Sequence, residues 1–228
     1  MLITERCLFI QYTMLAYFTY FTINYITSDK IIADYGVPML YNIGYMITAL
    51  SSILYNYSIH QRLTIIKHVI SALVGYYSMD IVNLYFDKNA KYRLAYIVHH
   101  IASIQLLYLH YSGVLPLSVG IIYLTLFEVS NLFLLPYQLC LYKGWNTMKY
   151  KLAHPMVYTY VPIRLVAIPL CSVMYWFAFD KYNKHYSSFV HDEVTYIYCK
   201  TLLTLLNIFS MYYGVAIGYK YYLYLNKK

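Results

Sequence analysis

The sequence predicts an all-α fold, a polytopic membrane helical bundle of about seven transmembrane helices. Three observations predict it. Of 228 residues, 61% are hydrophobic and only 11% charged, with a mean hydropathy of +0.49, whereas a water-soluble domain carries about a quarter charged residues. Apolar runs recur along the whole chain, each near the roughly 20 residues that a helix needs to cross a bilayer. The basic residues lie in short clusters between those runs, as membrane flanks do.

The same distribution gives the net charge of +8 a topological meaning and argues against a nucleic-acid partner. Cys7, Cys140, Cys171 and Cys199 are scattered and form no CxxC pair, so neither a zinc ribbon nor a disulfide framework is implied. Tyrosine is abundant, at 33 residues, and is spread over all depths rather than confined to interfacial belts. Glu5 and Arg6 precede CLFIQYTMLAYFTYFTINYI with no small-residue cleavage site after it, so this run reads as a retained first span.

The candidate spans are 7–26, 37–57, 68–86, 94–111, 117–142, 156–179 and 200–219. Pro38 opens the second span, a usual first-turn position. Pro162 and Pro169 within the sixth predict a kinked helix whose freed carbonyls find partners inside the bundle. Gly113 and Pro116 predict a tight turn between the fourth and fifth. With seven spans, one side receives Lys30, Lys88, Lys91, Arg93, Lys143, Lys149, Lys151, Lys220, Lys227 and Lys228, and the other Arg6, Arg62, Lys67, Lys181 and Lys184. This bias puts the C-terminus in the cytosol.

Several spans carry groups that are costly in hydrocarbon and should face the bundle interior: Asp80 in the third, His99 and His100 in the fourth, Glu128 and Asn131 in the fifth, Arg164 in the sixth. At a rise of about 1.5 Å per residue, Asp80 lies about 12 Å from the cytosolic cluster and the two histidines about 9–10 Å. Glu128 and Arg164 lie roughly 20 Å deep. Two tiers are therefore expected. Glu128 and Arg164 either pair to pin two helices or line a site. Adjacent histidines point about 100° apart on a helix, so one can line a cavity while the other bonds a neighbouring helix. His110, near the opposite membrane surface, reads as interfacial. Eight histidines raise the possibility of a di-iron lipid desaturase, but no HxxxH occurs, and such a site needs several closely spaced histidines. No metal site is expected, and no phosphate loop, GxSxG elbow or HExxH helix is present.

GYYSMD (75–80), IVHHIAS (97–103), LFEVSNLFL (126–134), VPIRLV (161–166) and LLNIFSMYYG (205–214) occur in that order on predicted spans. Together they resemble the TLC-domain family, which includes ceramide synthases and lipid-regulatory TLC proteins. The resemblance covers roughly residues 37–223. It implies a six-helix core plus one further helix, with 1–36 as an N-terminal transmembrane helix and loop and 224–228 as a short basic cytosolic tail. It also implies that His99 and His100 correspond to the paired site histidines of the synthases. On the next span the synthases carry a His-Asp pair and a second Asp; Phe127, Glu128 and Asn131 stand there here. The Glu-x-Ser of residues 128–130 is more similar to the non-synthase branch, and Ser210 follows Phe209 where the family often has a Trp nearby.

Two functional expectations follow. The first is a membrane protein of lipid homeostasis that binds, senses or redistributes an acyl-chain lipid in an intramembrane pocket. His99, His100, Asp80, Glu128, Arg164 and Asn131 would contact it, no cofactor would be needed, and the membrane would be the endoplasmic reticulum or a related internal one. The alternative is an N-acyltransferase resembling ceramide synthase, with acyl-CoA as co-substrate and His99 and His100 as catalytic residues. Lys88, Lys91 and Arg93 could then attract coenzyme A, although topology alone accounts for them. An ion-coupled transporter would call for an internal repeat, and none is visible.

Overall fold

The computed structural model describes residues 2–54, 58–87, 93–112, 117–185 and 193–225. They form α1 (Leu2–Thr27), α2 (Lys30–Leu54), α3 (Ile59–Phe86), α4 (Arg93–Tyr111), α5 (Leu117–Lys143), α6 (Asn146–Pro162), a π-helical turn (Ile163–Ala167), α7 (Ile168–His185) and α8 (Glu193–Leu225). No strand occurs among the described residues. The segments α6, π turn and α7 run on without a break, so the bundle has seven rods. Three stretches, Leu63–Phe86, Asn146–Phe177 and Ile197–Leu223, are long and apolar enough to cross a membrane. The shorter α4, interrupted by its histidines, is not among them.

Helix contacts close a ring. α2, α3, α4, α8, α6 and α5 touch in that cyclic order, and α1 packs outside it, mainly on α2 and α3, with Phe9 also meeting Tyr111 of α4 at 4.8 Å between ring centroids. The expected arrangement of six core helices plus one is therefore the observed one. Three apolar clusters hold it together. Leu106, Phe127, Ile168, Leu203 and Leu206 join α4, α5, α7 and α8. Tyr45, Ile70, Leu73 and Leu107 join α2, α3 and α4. Ala16, Tyr20, Ala33, Val37 and Met79 seat α1. The outward faces stay apolar and exposed, with Phe18, Phe86, Tyr158 and Phe177 each about 70% accessible, as lipid-facing residues should be.

Local signals set several helix ends. Ser58 and Gln61 form a capping box at the start of α3. Asp29 accepts the Ile31 and Ile32 amides at the start of α2. At the end of α5 the Trp145 amide bonds to the Cys140 carbonyl across Gly144, whose φ of 69° suits glycine. Helices reach beyond the apolar runs, because backbone hydrogen bonding continues after hydrophobicity stops. α2 begins at Lys30 rather than 37, and α6 at Asn146 rather than 156. Pro38 consequently lies inside α2 and not in its first turn.

The irregularity expected around Pro162 and Pro169 takes the form of the π turn. The Ile168 amide bonds five residues back to Ile163, which absorbs the register lost to two residues without an N–H. The turn of Gly113 and Pro116 and the basic residues Lys88 and Lys91 lie outside the described residues.

Among the described residues two ion pairs stitch helix ends at one end of the bundle. Asp29 contacts Lys143, and Lys30 lies 2.8 Å from Asp87. The second is largely exposed, so Lys30→Ala is expected to cost under about 1 kcal/mol. A thermal melt in detergent checks this, and a larger loss would mean that the loop end depends on the pair.

Candidate functional site

The polar residues of the spans converge inside the ring. On α3, Asp80 and Tyr77 stand one turn apart and share a face. Asp80 Oδ2 lies 2.7 Å from His100 Nε2. A carboxylate only accepts, so in this contact the His100 Nε2–H donates to Asp80. The Nδ1 is buried with no partner among the described residues. The Tyr77 ring stacks on the His100 ring, with centroids 4.9 Å apart and planes 25° apart. His100 is thus held by its edge and by one face.

His99 points elsewhere, as its 100° offset requires. Its ring lies parallel to Phe209 of α8, with centroids 4.8 Å apart, and 6.4 Å from Phe127 of α5. It makes no hydrogen bond among the described residues, and its Nδ1 is buried. It is half-buried while His100 is only 6% exposed. The two imidazoles therefore differ: one is fixed by a carboxylate, the other by ring contacts alone.

Glu128 sits on the buried face of α5. Its Oε1 accepts the Tyr77 hydroxyl at 2.9 Å, and its backbone carbonyl accepts the Asn42 amide of α2 at 3.0 Å. Arg164, in the π turn, is 5% exposed. Its Nε donates to Ser130 at 2.8 Å, one terminal nitrogen to Asn131 at 3.2 Å, and the other to Ser210 of α8 at 3.4 Å. Its guanidinium also lies over the rings of Phe127 and Tyr160, 4.6 and 4.9 Å from their centroids. Close approach of α8 depends on Gly214, where an added Cβ would lie 2.8 Å from the Leu165 side chain and 3.1 Å from Arg164 Cβ.

All six expected site residues thus lie in one network, but not all in the expected relation. Among the described residues no ion pair joins Glu128 to Arg164; the guanidinium is satisfied by neutral oxygens and aromatic faces. The two depth tiers are not separate either, because Tyr77 touches His100 with its ring and Glu128 with its hydroxyl. His110 is no interfacial residue. It is 2% exposed, and its Nε2 lies 3.3 Å from the Tyr175 hydroxyl, inside the bundle.

Asn42, Tyr77, Ser130, Phe209 and Ser210 were not among the expected site residues. Tyr77 could have been found from its spacing to Asp80 on one helix face. Ser210 carried no signal, since a serine is inexpensive at any depth. Among the described residues no group of His, Cys, Asp and Glu could hold a metal ion.

No curated protein and no solved structure matches the chain. The family model of the TLC domain matches residues 5–217, a stretch that includes most of α1, all of α2 to α7, α8 up to residue 217 and every residue of the network. With most of its length covered by that match and its helices closed into an apolar-coated ring, the chain is a membrane protein of the TLC-domain family.

Proposed function

We propose that this protein acts in lipid homeostasis by binding an acyl-chain lipid inside its helical ring. The observation that carries the reading is the convergence of costly groups from α3, α4, α5 and the π turn inside the ring, Asp80, His99, His100, Glu128, Asn131 and Arg164, in a chain that is otherwise apolar. A charged residue at the centre of a membrane helix costs about 2.5–3.5 kcal/mol on insertion scales, and this chain retains Asp80, Glu128 and Arg164. The acyl chain would lie among the apolar side chains, and the polar head would meet His99, His100 and Asp80. Glu128, Asn131 and Arg164 would form the floor beneath it. The altered fifth-span motif, Phe127 and Glu128, favours the non-synthase branch. The basic-residue asymmetry favours a cytosolic C-terminus, and the resemblance to lipid-handling TLC proteins favours an internal membrane such as the endoplasmic reticulum.

The test is lipid analysis of the purified protein. One lipid class is expected to be enriched over the bulk membrane, and to fall about tenfold in His100→Ala, the effect of losing one charge-assisted contact. A wild-type protein with no enriched lipid overturns the reading.

The 2.7 Å contact of His100 with Asp80 also favours a second reading, an acyl-CoA-dependent N-acyltransferase. A carboxylate that orients an imidazole prepares it as a base or nucleophile. Membranes given labelled acyl-CoA and a panel of lipid amines would form a new amide, and the His99→Ala/His100→Ala variant would not. Absence of product with folded protein leaves lipid binding as the function.

A further inference from the structure

We infer that Tyr77 and Glu128 are positioning residues for His100, acting as a two-step strut in which Glu128 holds Tyr77 and Tyr77 holds the imidazole. The inference rests on the proposed ligand site for its functional meaning, and it assigns Glu128 a role at a distance from the ligand.

Three geometric facts support it. The Tyr77 hydroxyl donates to Glu128 Oε1 at 2.9 Å. The Tyr77 ring lies 25° from parallel to His100 at 4.9 Å. His100 has one hydrogen bond, from Nε2 to Asp80, and none at Nδ1 among the described residues. A single bond at one edge fixes the position of an imidazole but leaves rotation about that bond open. The stacked phenol restricts this rotation, since aromatic pairs hold a preferred offset geometry. The phenol itself would turn about its own χ angles without an anchor at its far end, and Glu128 supplies that anchor across the α3–α5 gap. Tyr76 meets the same imidazole edge-on at 6.4 Å and stacks on Tyr41 of α2 at 5.5 Å, which closes a further side. What remains is a His100 of one orientation, with Nε2 held on Asp80 and Nδ1 unbonded among the described residues.

The consequence is specific. Glu128 touches no atom of His100 through a hydrogen bond, yet its carboxylate should control the imidazole. Glu128→Gln keeps an acceptor oxygen and should preserve the strut. Glu128→Ala and Tyr77→Phe each break the same link, so the double variant should be no worse than either alone.

Nitrogen-15 NMR of histidine-labelled protein in detergent, with the His100 ring signals assigned by their loss in His100→Ala, reads this without any ligand. Wild type and Glu128→Gln are expected to show a single Nε2–H tautomer. Tyr77→Phe and Glu128→Ala are expected to show ring exchange about tenfold faster, roughly the worth of one hydrogen bond, with no further change when combined. His100 signals that are unaltered in both variants overturn the inference, as do effects that add. If Glu128→Ala does not fold, Tyr77→Phe against Glu128→Gln decides it alone. Because the readout is the His100 ring itself and no ligand is added, failure here is separate from failure of lipid binding.

Discussion

Replacing Gly75 with alanine is expected to lower the stability of the whole bundle. A Cβ at this position would lie 2.6 Å from the Tyr12 carbonyl carbon, 2.7 Å from the Thr13 nitrogen and 2.7 Å from the Tyr12 oxygen. All three are backbone atoms of α1, so no side chain can turn aside. The two helices must separate, and the separation loosens Ala16, Tyr20 and Met79 as well as the 3.1 Å contact of Tyr12 with His68. Small residues permit this kind of close helix contact in membranes, and overpacking costs about 1–3 kcal/mol, here toward the upper end. Gly36→Ala is the control. Nothing lies within 4 Å of a Cβ there, and alanine inside a helix gains about 0.5–1 kcal/mol over glycine. Thermal melts in detergent should move in opposite directions for the two variants. Equal melting temperatures would mean that α1 is not held by close packing on α3.

Arg164→Leu is the second large effect. The change removes three hydrogen bonds and two ring contacts at a point where α5, the π turn and α8 meet. Ser130 keeps its bond to the Phe127 carbonyl, but the half-buried Asn131 oxygen and the buried Ser210 hydroxyl lose a donor. A buried group left unsatisfied costs about 1–3 kcal/mol, so a loss of about 2–4 kcal/mol is expected for the pair. Arg164→Lys should recover little, because one ammonium cannot reproduce a planar fork that reaches three oxygens while lying flat between two rings. Stability against a denaturing detergent reads both variants. A lysine variant as stable as wild type would show that a point charge is all the site requires.

Much of the fold was legible because it is a solvent effect. An apolar run of bilayer length must be helical, since its backbone has no water to bond to, and runs separated by basic clusters must return across the membrane. Helix ends were less legible, as at Lys30 and Asn146, because a helix continues wherever its backbone bonds and caps allow. The π turn was foreshadowed by Pro162 and Pro169, but its form depended on how α5 and α8 pack around Arg164.

The candidate site divides in the same way. Asp80, His99, His100, Glu128, Asn131 and Arg164 stood out because charge and hydrogen-bonding capacity are expensive in hydrocarbon, and cost is visible one residue at a time. Their partners did not stand out. Ser130, Ser210, Tyr77 and Phe209 are cheap in a membrane, and which of them meets a costly group depends on helix rotation and approach. The sequence by itself determined an all-helical membrane bundle, the family pattern and the residues whose burial demands a reason. Only the tertiary structure decided that Arg164 is satisfied by neutral oxygens instead of Glu128, that Tyr77 joins two depths into one network, and that two adjacent histidines have different surroundings. The physical reason is range. Hydropathy and backbone bonding are properties of a segment, whereas a side chain's partner is chosen by neighbours 20 to more than 80 residues away.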